Sequence, residues 1–154
     1  CSSINDNLYI IGDGELKYSI KKEIGNSANI IMSGQLTSEE TADFLDGIDC
    51  IIISSFSEAG PLVGVEAMAA AKIILSTEVG AMPNRLSGTV NDFWFNPESY
   101  ESFKIQFEKI KSLKSLTIKN ISTANRDRYL QFHSRRKVGD KYLFAVRTVV
   151  NSKT

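Results

Sequence analysis

Two glutamates separated by seven residues, Glu58 and Glu66, bracket the turn Gly60-Pro61-Leu62-Val63 within the run SSFSEAGPLVGVEAMAAA, Ser54 to Ala71. Gly60 reaches backbone angles closed to other residues, and Pro61 is pre-set for the first position of a helix, where its missing N–H costs nothing. A helix is therefore predicted to start at about Pro61. Its free N–H groups, on Leu62, Val63 and Gly64, together with the positive end of the helix dipole, make a seat for a phosphate or another anion. Carboxylates do not suit the phosphate itself, but they accept hydrogen bonds from hydroxyls. The pattern thus points to a ribose or sugar beside a diphosphate, that is, to a nucleotide-sugar. Spacing alone does not carry this reading, since Glu15 and Glu23 share it and the chain holds ten Glu. On the residues alone, Glu58 also reads as a solvated loop residue and Glu66 as a first-turn glutamate favoured by the helix dipole.

The elements that must position this run are legible around it. Cys50-Ile51-Ile52-Ile53 is a short apolar run rich in β-branched residues, the mark of a strand buried on both faces in a parallel sheet. In open α/β sheets ligands bind beyond the carboxyl ends of such strands, which is where Glu58 and Glu66 fall. Further strands are expected near Leu8 to Ile11, Asn29 to Ser33, Ile73 to Ser76 and Asp92 to Phe95, with helices between them. This alternation gives an α/β fold, a Rossmann-like parallel sheet with helices on both faces. Gly12-Asp13-Gly14 closes the first strand and Gly25 stops the helix that follows. A third glycine at the required place is missing, so Gly12 and Gly14 read as turn residues rather than as a dinucleotide fingerprint. Thr37 and Glu40 form a capping box, and Ser99 caps a helix burying Phe103, Phe107 and Ile110. The aromatics of Asp92-Phe93-Trp94-Phe95 read as core.

In order along the chain, IIGDGEL (Ile10 to Leu16), NIIMSGQLTSEE (Asn29 to Glu40), the Glu58 to Glu66 segment and EAMAAAKIILSTEVGAMPNRL (Glu66 to Leu86) resemble four motifs of the family-4, or group 1, glycosyltransferases. The likeness is to their carboxy-terminal, nucleotide-sugar-binding domain in the GT-B fold, and it covers roughly residues 8 to 115. It implies a retaining transfer of a sugar, such as a hexose, from a UDP-sugar or GDP-sugar to a glycan or lipid-linked acceptor in surface polysaccharide or glycoconjugate biosynthesis. No metal and no separate cofactor are implied. Glu58 would be the catalytic-centre residue, touching the donor sugar's hydroxyls, and Glu66 would hold the ribose. The backbone of Gly60, Pro61, Leu62 and Val63 would meet the diphosphate, while Leu36, with Gln35 and Ser38, would line the base pocket. Preorganised donors of this kind stabilise charge on a leaving group by a few kcal/mol each.

The departures from the family are also informative. The segment carrying an Arg and a Lys that clamp the diphosphate normally precedes the IIGDG strand, and Cys1 to Asn7 holds no counterpart to it. Nor is there a counterpart to the amino-terminal acceptor domain. The chain is therefore expected to be a piece of a longer enzyme, lacking the first strand-helix unit, inactive alone, and prone to expose apolar surface or self-associate. Ala71 stands where a helix-ending Gly is common, Ile73 where Pro is frequent, Ala81 for the second Gly of a pair and Asn84 for an acidic residue.

Composition fits one globular domain, residues 1–125, with a hydrophobic content of 42% that suffices for a core, followed by a basic amphipathic tail over 126–154. There is no signal-peptide pattern and no apolar run of the roughly 20 residues a membrane span needs. Cys50 reads as a reduced core thiol and Cys1 as the cut end of the chain, so neither disulfide nor zinc site is indicated. A cytoplasmic setting is expected. The net charge of zero hides a balance of −7 over residues 1–118 and +7 over 119–154. Arg126, Arg128, Arg135, Arg136 and Lys137 precede Val138, Tyr142, Ala145, Val146 and Val149 at helical spacing, which gives a basic amphipathic helix. Two partners compete for it: the absent amino-terminal domain, or anionic lipid at the inner face of the membrane. Nucleic acid is not expected, for the stretch lacks a binding motif. His133, the one histidine, reads as a surface residue without a metal or nucleophile partner. Besides a glycosyltransferase, two further classes are weighed: a nucleotide-sugar epimerase on the same scaffold and a non-catalytic interaction domain.

Overall fold

The computed structural model describes residues 6–151; the readings placed on Cys1 lie outside them. The order is β1 (Leu8–Ile11), α1 (Lys17–Ile24), β2 (Ile30–Gly34), α2 (Ser38–Asp46), β3 (Cys50–Ile53), α3 (Leu62–Ala69), β4 (Ile73–Ser76), α4 (Met82–Leu86), α5 (Tyr100–Lys111), α6 (Ser115–Phe132) and α7 (Arg135–Asn151). Both strand pairs, β1 with β2 and β3 with β4, are parallel, as an alternating βα chain requires. The chain divides into two compact units between Phe44 and Leu45.

In the first unit β1 pairs with β2, and Tyr9 meets the Phe44 ring edge-on at 5.3 Å. Leu8, Tyr9, Ile11 and Ile31 each keep about two-fifths of their surface exposed. Gly25 ends α1 at a φ of +56°. The capping box at α2 is formed: Thr37 N–H donates to Glu40 Oε2 at 2.8 Å, and Glu40 N–H to Thr37 Oγ1 at 3.2 Å.

In the second unit the β3–β4 pair is covered on both faces, which explains the unbroken apolar run of β3. Ile53 and Ile74 join Ala67 and Met68 of α3 and Met82 and Leu86 of α4 on one face. Ile73 and Leu75 join Phe93, Phe95 and Ile121 on the other, with Cys50, Ile52, Phe103, Phe107 and Ile110 packed against them. Burial pushes the Cys50 thiol up to about 12, so it stays protonated. Asp92 to Phe95 does not form the expected strand; it makes a single parallel bridge, Ser76 to Trp94, because only Ser76 exchanges hydrogen bonds with Phe93 and Phe95. Phe93 and Phe95 are nevertheless buried, as core aromatics should be. Ser99 caps α5, its side chain accepting from Ser102 N–H at 3.1 Å.

The helix α3 ends in a Schellman turn, with Ala71 N–H donating to Met68 O and Lys72 N–H to Ala67 O. Ala71 occupies the left-handed position there at φ +56°, the place usually given to glycine. Position 126 lies within α6, and the break before α7 comes at His133–Ser134. His133 is not the fully exposed residue expected: it closes the carboxyl end of α6 half-buried, with Nε2 shielded from solvent and without a hydrogen-bond partner among the described residues. On α7, Tyr142, Leu143, Phe144, Val146, Val149 and Val150 are all more than half exposed. Among the described residues no helix is long and apolar enough to cross a membrane, and no cluster of His, Cys, Asp and Glu could hold a metal ion.

Candidate functional site

Glu58 lies on the loop joining β3 to α3, and the segment after β4 holds that loop in shape. Thr77 N–H donates to Ile53 O at 3.0 Å and Thr77 Oγ1 to Ser55 O at 2.7 Å, fixing the point where the chain leaves β3. Further on, Ala81 N–H donates to Ala59 O at 3.1 Å. The two segments touch at Gly80, whose φ of +50° and missing side chain let its backbone lie against Glu58 and Ala59. Within the loop, Ser55 Oγ donates to Glu58 Oε1 at 3.1 Å, which orients an otherwise exposed carboxylate.

Pro61 is not the first helical residue. With a φ of −60° and a ψ of +124° it is the N-cap, and α3 starts at Leu62. Gly64 N–H turns back to Pro61 O at 3.1 Å, so it is not one of the free donors expected there. The N–H groups of Leu62 and Val63 remain without acceptors among the described residues, next to the positive end of α3. Glu66 lies one turn further on, half-buried, its carboxylate free of hydrogen bonds and ion pairs among the described residues. Gly64 keeps α3 close to α4, since a Cβ there would come within 2.4 Å of Met82 Sδ.

Among the described residues Arg85 is the cation that bonds to this loop. From α4, Arg85 Nη1 donates to Pro61 O at 2.6 Å, and Nη2 reaches Gly60 O at 3.5 Å. Arg128 of α6 braces that residue from behind, Nε donating to Arg85 O at 3.2 Å and Nη2 to Asn84 O at 3.1 Å, while its guanidinium stacks 4.0 Å from the Phe132 ring. Arg126 Nη1 donates to Ala69 O at the far end of α3. The basic residues at the start of the tail are thus used in part to hold helix ends.

Glu58, Gly60, Pro61, Leu62, Val63 and Glu66 therefore lie on one braced segment of the second unit. Leu36 and Ser38 lie in the first unit, Leu36 half-buried after β2 and Ser38 exposed at the first position of α2. The roles of Thr77, Gly80 and Arg85 had no local sequence signal beyond the glycine turn at Gly80. A groove of about 300 Å³ lined by Val90, Phe93, Lys109 and Ile121 shares no residue with this segment.

Known proteins resemble this chain in sequence and in fold. The family model described as "Glycosyl transferases group 1" matches residues 3–128. An uncharacterized glycosyltransferase of Methanocaldococcus jannaschii is 32% identical over 81 residues, covering 51% of this chain and 23% of that protein. Sucrose-phosphate synthase of Thermosynechococcus elongatus superposes with a TM-score of 0.82 at 14% identity, over 95% of this chain and 39% of its own. HepE of Anabaena, solved with UDP and glucose, superposes with a TM-score of 0.71 at 14% identity, over 92% of this chain and 40% of its own. The chain spans about a quarter of the first and two-fifths of each of the others.

Proposed function

The chain belongs to the group 1 glycosyl transferases, and on that premise we propose that it is the nucleotide-sugar-binding part of a retaining glycosyltransferase. Its α/β architecture is that of the GT-B enzymes it superposes on. The observation that carries the reading is the braced loop: two N–H donors at the start of α3, on Leu62 and Val63, lie between the carboxylates of Glu58 and Glu66 in sequence, and the β4–α4 segment holds the approach to them. HepE, which the chain superposes on, was solved with UDP, which makes a uridine diphosphate sugar the first donor to test.

In this reading the diphosphate sits on the Leu62 and Val63 N–H groups. Glu66 accepts from the ribose hydroxyls and Glu58 accepts from the sugar's hydroxyls. The bond from the anomeric carbon to the diphosphate oxygen breaks, a bond to the acceptor oxygen forms, and the acceptor's proton leaves with the diphosphate. The chain's contribution is electrostatic: fixed donors stabilise the charge that grows on the departing diphosphate, an effect of roughly 3 kcal/mol per donor in comparable sites. The acceptor is a glycan or lipid-linked hydroxyl, the setting is the cytoplasm or the inner face of the membrane, and acceptor binding falls to sequence beyond these residues. The chain by itself would bind donor without transferring sugar.

Ligand-observed NMR with UDP, GDP, ADP and their sugar conjugates tests this. The expected result is binding of one base series that is lost in Glu66→Ala while the melting temperature holds. Silence across the panel, or binding indifferent to both Glu58→Ala and Glu66→Ala, would favour a non-catalytic interaction domain.

A further inference from the structure

Arg85 stands where no acidic partner meets it. Among the described residues it forms no ion pair, and its guanidinium is directed instead onto two backbone carbonyls, Pro61 O at 2.6 Å and Gly60 O at 3.5 Å. We infer that Arg85 is a positioning residue for diphosphate binding, one that acts by fixing the peptide plane between Pro61 and Leu62; the inference rests on the donor-binding reading above.

The cause is geometric. In a planar trans peptide the C=O and the following N–H point in opposite directions. Pro61 O and Leu62 N–H belong to one such plane, so a short hydrogen bond that pins the oxygen also sets the direction of the N–H. Leu62 N–H is one of the donors left free among the described residues at the start of α3. The preceding plane cannot help, because Pro61 has no N–H to offer. A charged fork is suited to this task since it reaches two carbonyls at once, which a single ammonium does less well. Two neighbours make the arrangement specific. A Cβ on Gly60 would come within 2.9 Å of Arg85 Nη2 and 3.3 Å of Ala81 Cβ, so a side chain there would push the guanidinium from its place. Arg128 holds the Arg85 and Asn84 carbonyls at 3.2 and 3.1 Å, so the helix that bears Arg85 is itself anchored to α6.

The test uses the whole chain and three variants, Arg85→Met, Arg85→Lys and Gly60→Ala, with UDP and UMP as probes and thermal melting as a control. Arg85→Met is expected to lower UDP affinity about tenfold, the effect of one charge-assisted hydrogen bond, with a smaller loss for UMP. Gly60→Ala should produce a similar loss by displacing the guanidinium. The double variant should bind no worse than either single one, because both remove the same contact. Arg85→Lys keeps the charge without the fork and should not restore affinity. If Arg85→Lys binds UDP like the unchanged chain, the effect is one of charge and positioning is overturned. Additive losses in the double variant, or an Arg85→Met variant that binds as the unchanged chain does, overturn it as well. A chain that binds none of UDP, GDP and ADP overturns the donor reading, and the role of Arg85 falls with it.

Discussion

Gly80 lies directly against the carbonyl of Glu58: a Cβ on Gly80 would sit 2.3 Å from Glu58 O and 2.4 Å from Ala59 O. The two residues come from different βα connections, and their contact is what joins the glutamate loop to the turn after β4. Because the atoms met are backbone, neither can step aside without moving the loop itself. The left-handed φ of +50° at Gly80 adds a second requirement that an L side chain meets only with strain.

Gly80→Ala should therefore act on both stability and ligand binding. Strain of this kind costs about 1–3 kcal/mol before any clash is counted. A urea titration should show a midpoint lowered by at least that equivalent with the slope unchanged, and UDP binding should weaken beyond what the remaining folded fraction explains. A Gly80→Ala variant with an unaltered midpoint would mean the turn can relax and that the loop does not depend on it.

Asn91 supplies a second long-range brace. Its Oδ1 accepts from Ile74 N–H at 2.9 Å and its Nδ2 donates to Ile74 O at 2.7 Å, so one side-chain amide stands in for a neighbouring strand. Oδ1 also accepts from Nδ2 of Asn125, which is fully buried. Asn91→Leu would leave both Ile74 backbone groups without partners in the core, at about 1–3 kcal/mol for each. Chemical denaturation should show a loss of roughly 2–6 kcal/mol; a loss below about 1 kcal/mol would mean that water replaces the amide.

Ala71→Gly should move stability the other way. Ala71 holds φ +56° in the Schellman turn that ends α3, where glycine carries no Cβ penalty. The left-handed region costs an L residue about 1–2 kcal/mol, and glycine gives back about 0.4–1 kcal/mol through a freer unfolded chain. A net gain of about 0–1.6 kcal/mol follows, read as a raised melting temperature. A lowered one would show that the Ala71 side chain contributes packing that outweighs the strain.

Local features are legible in the sequence and remote ones are hidden. Thr37 with Glu40 and Ser99 with Ser102 are partners three residues apart, so their caps follow from side-chain type and spacing. The apolar run of β3 announces its burial because both of its faces meet the core. Arg85 and Asn91 bond to backbone 24 and 17 residues away, and no periodicity records such a contact. Asp92 to Phe95 has strand composition, yet Ser76 alone pairs with it. Pro61 reads from sequence as the first helical residue but is the N-cap, since proline's fixed φ serves an N-cap as readily as a first turn. His133 sits among basic residues in sequence, which suggests solvent, but the end of α6 turns it inward.

That inward turn makes His133 a source of acid sensitivity. Burial first, then the charges of Arg85, Arg128 and Lys141, hold its imidazole below the ordinary value of 6.5. Protonation would also give the shielded Nε2 a proton with no acceptor. In the unfolded chain the ring titrates normally, so above about 6.5 both states are neutral and the group contributes nothing to the pH slope. As pH falls below that point the unfolded state takes up the proton first, and stability declines until the folded pKa is passed. Urea midpoints at pH values of about 7.5, 6.5 and 5.5, chosen to span that range, should therefore fall with acid for the unchanged chain and fall less for His133→Gln. Equal slopes for the two chains would assign the acid sensitivity to carboxylates such as Asp13 and Glu40, which are held below their usual range by hydrogen bonds from Lys17 and from Thr37.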